Sequence, residues 1–226
     1  MYISVHIPKT AGTTIGYILD FGTRRRIFFD YSELEPYPEQ LTEDINFLKK
    51  NKTFLQRKFD VIHGHFHVSK YLDVFPEAKY LVCLREPVSR TLSQYYHIIE
   101  EGEGSHWSYN QLMSGEMDLI DFAGLPFVKR AQSAHIEGKK IQDFSHVFLS
   151  EKLPDSIHKF QLNHNFQRND PFMGLEGEAS IPNTNPRSAR KNAKKEFSKA
   201  YLKKVKEVIY EDVELYNEAL SLYKKQ

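Results

Sequence analysis

The stretch that most constrains this chain is Tyr2 to Leu19, in which a β-branched and aromatic run meets a proline, a lysine and a glycine, and then an amphipathic segment. Tyr2 to Ile7 suits a buried strand and Pro8 stops it. Ile15, Ile18 and Leu19 share one face of a helix, which Thr13 or Thr14 is placed to cap. A strand, a tight turn and a helix in this order form a cradle for an anion. Backbone N–H groups and the positive end of the helix dipole face the turn, and Gly12 lets the backbone approach closely. Lys9 adds a full charge, unless it is simply a solvated lysine after a strand. The order also excludes something. The nucleotide triphosphatase loop G-x-x-x-x-G-K-[ST] ends in lysine, whereas here the lysine comes first.

A second strand, turn and helix follows in Tyr80 to Tyr96. Its apolar run ends at Arg85, Pro87 stands where a first helical turn accepts proline, and Ser89 and Ser93 lie one turn apart on one helix face. Arg85 and Ser93 therefore converge, a guanidinium fork beside a hydroxyl, which suits a phosphate monoester.

These two motifs carry a family resemblance. Pro8-Lys9-Thr10-x-Gly12-Thr13-Thr14 resembles the 5′-phosphosulfate loop of sulfotransferases that use 3′-phosphoadenosine 5′-phosphosulfate (PAPS). Leu84-Arg85-Glu86-Pro87-Val88-Ser89-Arg90-x-Leu92-Ser93 is similar to the LRDPVSRxLS pattern of the heparan sulfate 2-O- and 6-O-sulfotransferases and their bacterial relatives, with Glu86 for aspartate. Weaker echoes run through Gln132, the strand ending at Glu151, and Asp212-x-x-Leu215-Tyr216. Ala11 departs from the pattern, which usually has glycine there. The resemblance implies sulfuryl transfer from PAPS, used as co-substrate, to the hydroxyl of a saccharide acceptor. Lys9, Thr10, Ala11, Gly12, Thr13 and Thr14 would hold the phosphosulfate, Arg85 and Ser93 the 3′-phosphate, and Lys9 would also stabilise the leaving group. It places Thr184 and Arg187 in a loop over the nucleotide, with Arg190 and Lys191 nearby, and it requires no metal.

Phe59 to His67 reads as a further strand running into a loop. If it stays extended, His63, His65 and His67 point the same way, because side chains alternate. Three imidazoles on one face would also suit zinc, although the two anion motifs would then be unexplained. In the resembled family a histidine of a His-Gly-His segment here is the general base, which makes His65 the first candidate and His63 the second. An imidazole titrates near neutrality and so accepts a hydroxyl proton at working pH. A kinase built on a P-loop and a non-catalytic nucleotide-binding module stay open as alternatives. The kinase would need Gly-Lys-Ser/Thr and an acidic magnesium partner, and the binding module would have no use for His65.

The strand and helix alternation predicts an α/β fold, a P-loop-like three-layer sandwich with a mostly parallel central sheet flanked by helices, and ligands at the carboxyl ends of the strands. With 226 residues and 40% hydrophobic content, 1–226 reads as a single domain. A net charge of +1 gives no general attraction to nucleic acid. The one cysteine, Cys83, lies in an apolar strand and reads as a buried thiol. No stretch approaches membrane-spanning length and no leader precedes the first strand, so a cytoplasmic protein is expected. One helix is expected from about Thr42 to Leu55 and an irregular or helical region from Glu100 to Asp143. Phe144 to Ser150 should be a strand, a helix should begin at Pro154, and a helical stripe should run from Phe197 to Ile209 with lysines around it. Arg24-Arg25-Arg26 and Trp107 are surface features open to either a solvated or a binding role.

Overall fold

A computed structural model describes residues 1–31, 40–104, 106–164, 166 and 197–224, with the backbone alone for 40–44. Five strands, β1 (Tyr2–Val5), β2 (Ile27–Asp30), β3 (Val61–Gly64), β4 (Lys79–Leu84) and β5 (His146–Leu149), form one sheet in the order β2-β3-β1-β4-β5. Every pairing is parallel. Helix α1 (Gly12–Gly22) follows β1. Helices α2 (Gln40–Lys50), α3 (Lys52–Lys58) and α4 (Ser69–Leu72) lie around β3 in the chain, and α5 (Pro87–Glu101) leaves β4. Four short helices come next, α6 (Tyr109–Ser114), α7 (Leu119–Ala123), α8 (Pro126–Lys129) and α9 (Ala131–His135), and then α10 (Leu153–His164), α11 (Lys199–Val208) and α12 (Tyr210–Tyr223).

Side-chain alternation sorts the strands into two faces, as a sheet covered on both sides demands. Ile3, Val5, Ile62, Tyr80, Val82, Leu84 and Leu149 pack with Leu48, Leu55, Tyr71, Phe75 and Tyr223, which puts α2, α3, α4 and α12 on one side. Val61, Leu81, Cys83 and Phe148 pack with Ile15, Leu19, Ile157 and Phe160, which puts α1 and α10 on the other. The expected three-layer α/β architecture is present. Beside it, Ile98 of α5 gathers Leu112, Phe122, Val128, Val205 and Ile209 into a separate helical cluster. Among the described residues no helix is long and apolar enough to cross a membrane.

Several local expectations are corrected. The first strand ends at Val5 rather than Ile7, although the His6 amide still bonds the Gly64 carbonyl at 2.8 Å. Neither Thr13 nor Thr14 caps α1, because Lys9 (φ 70°) and Ala11 (φ 68°) turn the chain through the left-handed region and start the helix at Gly12. The single helix expected across Thr42 to Leu55 is two, divided at Asn51, whose side chain donates to the Phe47 carbonyl at 2.8 Å. Glu100 to Asp143 is largely helical, and a second C-terminal helix, α12, follows the predicted stripe.

Candidate functional site

The loop after β1 is held from beneath. Thr10 is fully buried and its hydroxyl donates to the Ile7 carbonyl at 2.9 Å, so its side chain shapes the turn. The Cys83 thiol, buried in β4 and pushed up in pKa mainly by that burial, donates to the Thr10 carbonyl at 2.7 Å. Ala11 occupies the cap position of α1 and offers no side-chain hydrogen bond to the first-turn amides. Those amides are the orphan donors of a helix start, aimed where an anion would lie. Thr13 is exposed and Thr14 half-buried within that first turn.

The loop after β4 is built differently. Glu86 caps α5 by accepting from the amides of Val88 (3.2 Å) and Ser89 (2.7 Å), with Pro87 at the first helical position. A carboxylate thus neutralises this helix start. Arg85 is freed to point elsewhere: its Nη1 donates to the Lys9 carbonyl at 3.1 Å. Its peptide is gripped on both sides by Gln132, which accepts from the Arg85 amide at 2.8 Å and donates to its carbonyl at 2.9 Å. Gln132 is fixed in turn by Asp212, which accepts from its amide at 3.0 Å and from that of Ser133 at 2.8 Å. Glu151 accepts from the Glu86 amide at 2.9 Å and from the Tyr216 hydroxyl at 2.9 Å. The weak sequence echoes Gln132, Glu151, Asp212 and Tyr216 therefore brace the loop after β4. Ser93 is half-buried on the second turn of α5.

Charge accumulates between the two loops. Burial lowers the Lys9 pKa, and the neighbouring guanidinium of Arg85 lowers it further. Arg90, 1% exposed, reaches toward the carbonyls of Pro8 (3.5 Å) and Val128 (3.4 Å) at long range, and its Nε has no partner among the described residues. Burial pulls its pKa down to about 10 against the pull of Asp212. Three cations crowded into a half-buried volume are held there at a cost that a bound polyanion would relieve.

The histidines complete the edge. His63, at the end of β3, is 1% exposed and sits 2.9 Å by Nδ1 from Ser4 Oγ, with its pKa pushed down by burial to about 3. His65 is half-buried just beyond the strand and stacks on His6, ring centroids 4.2 Å apart. Burial lowers the His65 pKa while the His6 carbonyl favours its charged form. His67 leaves this face to stack on His135 at 4.7 Å, so the three alternate imidazoles do not gather; among the described residues no group of His, Cys, Asp or Glu is arranged to hold a metal.

A half-buried cation cluster under an uncapped helix, with imidazoles across from it, is the arrangement expected of enzymes that transfer an anionic group. Residues 2–219 match the sulfotransferase family. The chain belongs to that family. A crystal structure of a sulfotransferase from Alicyclobacillus acidocaldarius aligns at 16% identity and a TM-score of 0.49, covering 97% of this chain and 94% of that one. No curated protein matches the chain significantly.

In this sulfotransferase the structure brings Lys9, the loop through Thr14, Arg85, His63 and His65 to the carboxyl edge of β1, β3 and β4, while Thr184 and Arg187 lie outside the described residues. Sequence reasoning overlooked His6, Tyr31 and Arg90. Tyr2, Ser4 and His6 alternate on the face that Val61, His63 and His65 share through the Ser4↔His63 register, so strand pairing was the signal for His6. Arg90 lies three residues after Pro87 on the buried side of α5, and that spacing marks it as an inward-facing charge.

Proposed function

We propose that this sulfotransferase moves the sulfuryl group of PAPS to a hydroxyl of a saccharide acceptor, with His65 as general base. The observation that carries this reading is the convergence of Lys9, Arg85 and Arg90 beneath the uncapped start of α1, with His65 beside the same edge. A donor with a 5′-phosphosulfate and a separate 3′-phosphate suits two anion loops on neighbouring strands. The amides from Thr10 to Thr14 and the Lys9 ammonium would take the phosphosulfate. Arg85 and Ser93 would take the 3′-phosphate, and Thr184 and Arg187 would add contacts to the nucleotide.

The chemistry balances within these groups. The acceptor oxygen forms a bond to sulfur as the bond from sulfur to the bridging phosphate oxygen breaks, and that oxygen keeps the electron pair. Negative charge grows on it where Lys9 is placed to stabilise it, and 3′-phosphoadenosine 5′-phosphate (PAP) leaves. The acceptor's proton passes to His65, whose burial keeps it neutral and ready at neutral pH. His63 is too enclosed to meet an acceptor and serves to hold Ser4 and the end of β3. A free, buried Cys83 suits a reducing compartment such as the cytoplasm.

Calorimetric titration with PAP, beside adenosine 5′-phosphate and ATP with magnesium, tests the reading. Binding that requires the 3′-phosphate and disappears in Arg85→Ala supports it; preference for ATP with magnesium would overturn it.

A further inference from the structure

The order of strands in the sheet lays out the reaction. Reading β2-β3-β1-β4 across the carboxyl edge, β4 is followed by Arg85, β1 runs into Lys9 and β3 leads to His65. On the proposed donor reading, the nucleotide therefore lies toward β4 and β1, with the base between it and β2. The end of β2 holds Phe29 and, one residue beyond the strand, Tyr31. Both face the same side as the histidines: Phe29 pairs in register with His63, and their rings meet edge to face at 6.1 Å. One pleat further on, the Tyr31 ring meets His65 at 5.0 Å and stacks on Phe29 at 6.2 Å, while its hydroxyl lies 3.2 Å from His6 Nδ1.

An attacked hydroxyl must come within hydrogen-bond reach of its base. The ring that carries it must then rest on side chains adjoining His65. On the β1 side that is His6, and on the β2 side it is Tyr31, with Phe29 stacked behind Tyr31 and against His63. Phe29 is 46% exposed although it is a large apolar ring beside a catalytic edge, and Tyr17 of α1, 53% exposed, lies near enough to Tyr31 to raise its pKa further. Exposed aromatic faces bordered by phenolic hydroxyls match a pyranose, which offers an apolar C–H face and a rim of hydroxyls. We infer that Phe29 and Tyr31, with Tyr17 at their border, form the acceptor subsite and take the sugar ring that bears the attacked hydroxyl.

The test uses the whole chain saturated with PAP, with methyl β-D-glucopyranoside, methyl β-D-galactopyranoside and 4-nitrophenol as probes read by saturation-transfer NMR. Phe29 is exposed enough for Phe29→Ala to fold, which circular dichroism checks, and Tyr17→Phe removes only a hydroxyl. The expected result is pyranoside binding weakened about tenfold by Phe29→Ala and less by Tyr17→Phe, with PAP affinity unchanged in both. Equal pyranoside binding by wild type and Phe29→Ala, no pyranoside binding by the wild type, or binding of 4-nitrophenol alone would each overturn the inference while leaving the donor reading intact. Failure of the wild type to bind PAP would instead overturn the donor reading and this inference with it.

Discussion

Arg85 Nη1 donates to the main-chain oxygen of Lys9 at 3.1 Å, so the loops after β1 and β4, 76 residues apart in sequence, are tied by one guanidinium. The tie engages one guanidinium nitrogen, and the proposed 3′-phosphate would engage others. A lysine there would keep the charge but lose the fork that serves both partners. Arg85→Lys should weaken PAP binding about 10- to 100-fold and leave adenosine 5′-phosphate, which lacks the 3′-phosphate, nearly unaffected. Paired titrations of the two ligands check this.

His65 and His63 should separate cleanly. His65→Ala should lower kcat by about 10²- to 10⁴-fold with PAP affinity kept. His63→Ala should instead cost stability, about 1–3 kcal/mol, since it leaves the buried Ser4 hydroxyl without its ring partner. Because burial holds the His65 pKa below its ordinary value of 6.5, the neutral form that a general base needs dominates at pH 7, and kcat should fall as the pH drops into acid rather than as it rises. A turnover profile against pH, beside melting curves of both variants, tests the division of labour.

Much of this site was legible because its residues sit next to the ends of strands. Lys9, Arg85 and His65 each come just after an apolar run, and parallel strands deliver the residues at their carboxyl ends to one edge. The part that could not be read depends on pairing between distant segments. His6 meets His65 only because β1 lies beside β3, and Tyr31 joins them only because β2 is the next strand out. Gln132 and Asp212 acquire their meaning from a clamp spanning 80 residues. The cap of α1 was illegible for a local reason: two non-glycine residues adopt positive φ, which sequence propensity disfavours.

That strain gives a prediction of its own. Ala11 at φ 68° occupies a conformation that costs an L-residue about 1 kcal/mol and glycine nothing. Ala11→Gly should relieve it, offset in part by the greater freedom of glycine in the unfolded chain. A net gain of about 0.5 kcal/mol, or roughly 1–2 °C in Tm, is expected with PAP affinity unchanged. A fall in Tm on calorimetric melting would mean that the turn is not strained.

Buried neutral histidines make the fold sensitive to acid. Burial depresses the pKa of His6 to about 2, of His63 and His135 to about 3 and of His146 to about 4. Each folded-state value lies below the unfolded one of 6.5, so the unfolded chain binds more protons, and stability is full above pH 6.5 and declines as pH falls toward the folded values. Each histidine removes up to about 1.4 kcal/mol per pH unit in that window. Together they should unfold the protein between about pH 5.5 and pH 3.5, given an ordinary stability of about 5–15 kcal/mol. Circular dichroism monitored from pH 7 to 4 tests this, and His146→Gln should move the midpoint to lower pH.

The most consequential carboxylate lies buried behind the site. Asp212 is 1% exposed, accepts from the amides of Gln132 and Ser133, and supplies the negative charge that Arg90 feels. Its own pKa is raised by burial, with those amides and Arg90 pulling against that rise. Asp212→Asn would leave Arg90 as a buried cation without its compensating charge and present an amide N–H₂ where amide donors now point. A loss of about 2–4 kcal/mol is expected, on the scale of breaking a buried ionic network. Gln132→Ala removes only the grip on the Arg85 peptide and keeps the charge balance, so it should cost less stability. Both should weaken PAP binding, because both let the Arg85 loop move. If Gln132→Ala left PAP affinity unchanged in calorimetry, the clamp would serve folding alone, and the link from Asp212 through Gln132 to the anion site would be refuted.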